Sequence, residues 1–121
     1  MSNHECEACI VTCIDYRLQQ DIDRWIAGNF QPKTFDRIAF AGGVKNLDAI
    51  LDQIGISERL HHIKKAVLIN HEDCGAYGEA GSSYKHTADL RNACSKIKEL
   101  YPELEVETYY LHLDGTFEVV K

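Results

Sequence analysis

Two short apolar runs, Ala8–Val11 and Ala66–Ile69, lack the in-out alternation of a strand that has one wet face. A run of this length without polar alternation reads as a strand covered on both faces, as in a parallel sheet with helices above and below it. Each run opens into ligating and charged residues: Cys13-Ile14-Asp15-Tyr16-Arg17 after the first, His71-Glu72-Asp73-Cys74-Gly75 after the second. If the two strands are parallel neighbours, Cys13, His71 and Cys74 converge at the carboxyl edge of the sheet, where open α/β sheets hold their ligands.

Helical and extended periods alternate along the rest of the chain. Leu18, Ile22, Trp25, Ile26 and Phe30 recur at helical spacing, and that segment ends near Gly28-Asn29. Phe35–Phe40 is a second short strand, closed by Gly42-Gly43, a turn that lets backbone approach another surface closely. Leu47, Ile50, Leu51 and Ile54 predict an amphipathic helix capped by Asn46 and broken at Gly55, with a short helical turn over Ser57–His61. The third strand is Ala66–Asn70. Gly75, Gly78, Gly81 and Ser82-Ser83 predict a flexible loop, and Ala88, Leu90, Ala93, Ile97 and Leu100 a long helix that stops before Pro102. Leu104–Leu111 is a fourth strand, and Asp114-Gly115 turns the chain back into an antiparallel edge strand over Thr116–Val120. Residues 1–121 therefore read as a single α/β domain. Its central, mostly parallel sheet has the order 2-1-3-4, with an antiparallel edge strand 5, and is flanked by helices. In that order the first and third strands are adjacent at the point where the chain reverses direction.

Charge and cysteine content narrow the function classes. With 13 Lys and Arg against 19 Asp and Glu, the net charge is -6, and the longest basic run is Lys64-Lys65. No basic stripe for nucleic acid is present. No stretch reaches membrane-spanning length and Met1–Glu7 lacks the apolar core of a signal peptide, so a cytoplasmic protein is expected. Five cysteines, an odd number, fit metal ligands or buried thiols in a reducing compartment better than disulfides. Cys6-x-x-Cys9 precedes its strand and has no second such pair, so both are expected to be ordinary thiols, with Cys94 a core residue.

Two thiolates and one imidazole are the ligand set of an open zinc site, whereas a closed structural site adds a fourth protein ligand. The vacant position, with Asp15 and Arg17 beside it, is the hint of catalysis. In an extended segment Cys13, Asp15 and Arg17 point to one side, and Arg17 can hold Asp15 by a two-point charge-assisted bond. Gly75 offers an unhindered backbone N–H beside the ion. Asp15 either accepts a hydrogen bond from solvent on the ion or becomes a fourth ligand and shuts the site; spacing leaves both open. His61-His62 and His86 are expected at the surface, and Tyr77, Tyr84, Tyr109 and Tyr110 in packing or interfaces. Asp73 is expected to face solvent or cap the next helix.

Cys-x-Asp-x-Arg, then Ala41-Gly42-Gly43, then His-x-x-Cys-Gly, in this order and at these separations, resemble the β-class carbonic anhydrases over most of the chain. The resemblance implies zinc on Cys13, His71 and Cys74, and an Asp15–Arg17 catalytic dyad governing the fourth position. It also implies reversible hydration of carbon dioxide to bicarbonate by zinc-bound hydroxide. From the residues themselves, the backbone of Gly42 and Gly75 is expected beside the substrate. Tyr16 stands where that family commonly has Ser, and Ala39-Phe40 where it commonly has Arg-Asn. A more apolar pocket motivates an alternative, hydrolysis of carbonyl sulfide or carbon disulfide on the same scaffold. A shorter amino-terminal arm than the family's motivates a third reading, a non-catalytic zinc-binding assembly module. A homodimer or higher homo-oligomer is expected, because so small a chain has little pocket wall of its own.

Overall fold

A computed structural model of the chain describes residues 4–121, so the first three residues of the Met1–Glu7 segment lie outside the described residues. The strands are β1 (Ala8–Thr12), β2 (Phe35–Ala39), β3 (Lys65–His71), β4 (Glu105–Leu111) and β5 (Phe117–Val119). The helices are α1 (Gln19–Asn29), α2 (Leu47–His61) and α3 (Ser83–Leu100), with a 3-10 turn over Gly78–Ala80. The sheet has the order β2-β1-β3-β4-β5, parallel except for the β4–β5 pair, which is the expected arrangement.

Alternation along the strands builds two cores. Ala8, Ile10, Val67 and Ile69 face one way and pack with Leu18, Ile22, Ile26 and Phe30 from α1 and its flanks. Cys9, Val11, Ala66 and Leu68 face the other way, against Ile50 and Ile54 of α2 and Leu90, Ala93 and Ile97 of α3. The inner strands β1 and β3 are covered on both faces, which explains their unbroken apolar runs. Because α1 lies on one face and α3 on the other, the connections leaving β1 and β3 part in opposite directions and open a crevice at the carboxyl edge.

Two helix boundaries differ from expectation. Rather than breaking at Gly55, α2 runs through it to His61 as one 15-residue helix. A helical glycine costs only about 1 kcal/mol relative to alanine, and burial of Ile50, Ile54 and Ser57 on one face outweighs that. Asn46 stands at the cap position of α2, yet its side chain makes no capping bond. In α3 the helix begins at Ser83, where Ser82 Oγ accepts from Lys85 N at 3.1 Å. This earlier start puts His86 on the buried stripe with Leu90, Ala93 and Ile97, so His86 is fully buried rather than at the surface. Cys94 is half-buried beside that stripe rather than within the core. Among the described residues no helix is long and apolar enough to cross a membrane.

Candidate metal centre

The register Val11↔Leu68 sets the ends of β1 and β3 side by side, and the chain delivers Cys13 from one and His71 and Cys74 from the other. Asp73 takes a left-handed conformation (φ 57°), a tight turn that brings Cys74 back toward His71. All three side chains are buried, and one ligand atom from each lies within 4.8 Å of the others. The two sulfurs are 3.9 Å apart. Two zinc–sulfur bonds of about 2.3 Å at a tetrahedral angle require roughly 3.8 Å between sulfurs, so the donors are already set for such an ion.

The imidazole supplies an independent test of fit. His71 Nδ1 lies 2.7 Å from the Glu72 carbonyl, which can only accept, so Nδ1 carries the proton and Nε2 the lone pair. His71 Nε2 is buried and has no hydrogen-bond partner among the described residues. A buried lone pair facing two sulfurs is what a metal ligand presents before its ion binds. Burial pushes the Cys13 thiol up, but His71 and the N–H groups of Gly42 and Asp15 outweigh it and hold the thiol below its ordinary range. Burial and the neighbouring Cys13 push Cys74 the other way, so the first proton lost belongs to Cys13.

Asp15 and Arg17 stand beside these donors. Arg17 forks onto the carboxylate, Nε to Oδ1 at 3.1 Å and Nη2 to Oδ2 at 2.7 Å, while its backbone N–H donates to Oδ1 at 2.9 Å. The Arg17 guanidinium holds the Asp15 carboxyl down at about 2, so it is ionised through the neutral range. Asp15 Oδ2 lies 3.8 Å from His71 Nε2. Arg17 also reaches across the crevice, Nη1 to Asp73 Oδ2 at 3.1 Å and Nη2 to the Asp73 carbonyl at 2.8 Å. Asp73 is therefore exposed, as expected, but ties the two loops together instead of capping α3. Sequence reasoning missed Gln19, whose Nε2 donates to the carbonyls of Cys13 at 3.1 Å and Asp15 at 2.8 Å and so pins the loop that carries both.

Gly42 donates its N–H to Cys13 Sγ at 3.3 Å. The turn carrying it is fastened by Asn70, whose Oδ1 accepts from Val44 N at 3.1 Å. With its oxygen so assigned, the Asn70 amide nitrogen donates to Tyr77 Oη at 3.0 Å and to His86 Nδ1 at 2.9 Å. Tyr77 Oη in turn donates to Asp89 Oδ2 at 2.8 Å. Tyr77 is thus a packing residue with a polar duty, and Asn70 is the hub of a buried network that sequence reasoning did not find. An amide at the end of an apolar strand was the available signal, because a buried amide needs partners.

His86 accepts from Asn70, so protonating it would set an N–H against an N–H. Burial chiefly, with the nearby His71, holds its pKa down at about 4. In the unfolded chain it titrates near ~6.5. Between those values only the unfolded chain takes the proton, so this contribution is whole above pH ~6.5 and is lost as pH falls toward 4. The expected loss is about 3 kcal/mol, and a metal-free His86→Phe chain should lose correspondingly less stability than the metal-free parent over that interval. Urea unfolding at neutral pH and near pH 4 measures both, and equal slopes would refute this account.

Around the donors opens a cleft of about 600 Å³ lined by Cys13, Ile14, Asp15, Tyr16, Ala41 and Gly75, among others. A Cβ on Gly75 would meet nothing within 4 Å, so its backbone faces open space. Phe40 does not line this cleft; it packs against the larger core. His61 and His62 lie half-buried and exposed at the far edge of the sheet, away from the cleft. Cys6 and Cys9 are free thiols, both pushed up chiefly by burial, Cys9 to about 12, so neither is an activated nucleophile.

Comparison with known proteins gives this geometry a family. An uncharacterized protein of Rickettsia conorii is 30% identical over 136 residues, covering 97% of this chain and 73% of the relative. A carbonic anhydrase from Streptococcus mutans superposes with a TM-score of 0.72 at 17% identity, covering 100% of this chain and 86% of that one. A carbon disulfide hydrolase in its apo form superposes with a TM-score of 0.67 at 12% identity, covering 98% and 80%. The family model described as "Putative carbonic anhydrase" matches residues 3–121. The chain belongs to that carbonic anhydrase family, as a divergent member with the β-class fold.

Proposed function

We propose that this chain holds zinc on Cys13, His71 and Cys74 and hydrates carbon dioxide reversibly to bicarbonate. The observation that carries the reading is the set of three buried donors beside an open cleft, bordered by an ionised carboxylate that Arg17 Nε and Nη2 hold in place. Bound there, zinc acidifies a water molecule and makes it a nucleophile near neutral pH. Both Asp15 oxygens are engaged by Arg17, which supports a role as hydrogen-bond acceptor for the attacking water over one as fourth ligand. In that role Asp15 fixes the direction of the water's lone pair, and Arg17 keeps the carboxylate charged and oriented. Gly42 N–H donates to Cys13 Sγ and steadies the ligand. Gly75, at the open mouth, leaves its backbone accessible to substrate oxygen.

The test is stopped-flow hydration by the zinc-loaded protein. Asp15→Asn is expected to lower kcat by roughly 100-fold or more with zinc content unchanged. No hydration above buffer, in the neutral to mildly alkaline range, would reject the reading.

A second substrate class is favoured by one feature, the exposed ring of Tyr16 in the cleft wall, together with the likeness in fold to a carbon disulfide hydrolase. Sulfide release from carbonyl sulfide or carbon disulfide distinguishes it. Ile14 and Tyr16, 59% and 86% exposed at the cleft rim, support a second copy of the chain closing the site as a homo-oligomer.

A further inference from the structure

A second convergence of ligand-type side chains lies at the amino edge of the sheet, the opposite end of β1 from Cys13. Cys6 precedes β1 by two residues, Asp36 lies in β2 and His61 ends α2. They are 30 and 25 residues apart in sequence. The fold joins them through backbone: Cys6 N donates to the His61 carbonyl at 3.0 Å, and Glu7 N to the Thr34 carbonyl at 2.7 Å. The parallel register Cys9↔Asp36 brings β2 alongside. One donor atom from each of Cys6, Asp36 and His61 lies within 4.8 Å of the other two, and all three side chains are half-buried.

We infer that Cys6, Asp36 and His61 form a second site for a divalent transition ion of the zinc class, which fastens the start of the chain to β2 and the end of α2. Thiolate, carboxylate and imidazole are all zinc donors, and the two anions neutralise a dication. The carboxylate is already oriented: Asp36 Oδ2 accepts from Ser57 Oγ at 2.6 Å and lies 2.6 Å from His61 Nδ1. Tetrahedral zinc separates such donors by roughly 3.3–3.8 Å, so Asp36 and His61 part by roughly 0.7 Å to admit the ion. Binding displaces the proton that His61 Nδ1 donates to Asp36, so that the neutral ring carries its single proton on Nε2, and it releases the Cys6 thiol proton to solvent. Three protein donors leave one position for water or a further side chain, and the His4 ring borders the cluster, its centroid 6.2 Å from that of His61.

Cobalt titration of the full chain tests this. In a Cys13→Ser/Cys74→Ser chain, which lacks the first set of thiols, one equivalent of Co²⁺ is expected to bind with a near-ultraviolet thiolate-to-cobalt band. Adding Cys6→Ser should abolish the band and the equivalent, and adding His61→Phe should lose the equivalent. Should the doubly substituted chain fail to fold, zinc stoichiometry by elemental analysis decides, with two equivalents expected in the parent chain and one in Cys6→Ser. Equal zinc content in parent and Cys6→Ser, or cobalt binding in the Cys13→Ser/Cys74→Ser chain without the thiolate band, would overturn the proposal. Neither result depends on the hydration assay, so this inference and the proposed activity fail separately.

Discussion

A Cys74→Ser chain is expected to lose zinc affinity by well over ~100-fold and, with it, carbon dioxide hydration down to the rate in buffer. Loss of an outer partner that merely orients a ligand costs roughly 10–100-fold, so loss of the ligand itself exceeds that. Serine supplies a neutral hydroxyl where an anionic sulfur stood 3.9 Å from Cys13 Sγ, and the dication keeps one compensating thiolate instead of two. His71 Nε2 then stays buried with one fewer neighbour to share an ion. Competition against a chelator of known affinity reads the first effect and stopped-flow hydration the second. Asp15→Asn is the contrasting case, zinc retained and turnover lost. Zinc content and affinity both equal to the parent's in Cys74→Ser would remove Cys74 from the site.

Gly43→Ala is expected to destabilise the fold by about 2–5 kcal/mol, lowering Tm by roughly 8–20 °C. Gly43 has a φ of +62°, a conformation that costs an L side chain roughly 1–2 kcal/mol. Its Cβ would fall inside the van der Waals shell of Asn70 Oδ1 and 3.2 Å from the Ile69 carbonyl, which is β3 backbone and cannot give way. To make room, Asn70 must release Val44 N, leaving a buried donor unpaired at a cost of about 1–3 kcal/mol. The same shift moves Gly42 N–H away from Cys13 Sγ, so zinc affinity should fall together with stability. Gly28→Ala is the control: a Cβ there meets nothing within 4 Å, and the change should stabilise α1 by about 0.5–1 kcal/mol. In an Asn70→Ala background the cost of Gly43→Ala should shrink, because the two residues share one contact. Equal costs in the two backgrounds, measured by chemical denaturation, would contradict that coupling.

Much of this was legible in the chain. Continuous apolar runs at Ala8–Val11 and Ala66–Ile69 marked the inner strands because both their faces are covered, and the polar segments that follow located the donors. Strand order followed from short connections, and adjacency of β1 and β3 brought Cys13 to His71 and Cys74. The misread positions have physical reasons. Gly55 reads as a stop in the sequence, but packing on both sides of it overrides a small intrinsic penalty. Histidine is usually half-exposed, which puts His86 at the surface; its spacing to Leu90, Ala93 and Ile97 is the stronger signal. Cys6, Asp36 and His61 carry no local pattern, and only the register of β1 on β2 makes them neighbours.

The two outermost strands make poor templates for further chains. β5 is three residues long, and β2 follows Pro32 and Lys33 and carries Asp36 and Arg37, the latter bound to Asp23 at 2.7 Å. Charge and brevity at both margins oppose accretion of another molecule's strand, so a sheet whose interior is almost wholly apolar is guarded against fibril growth at its rims.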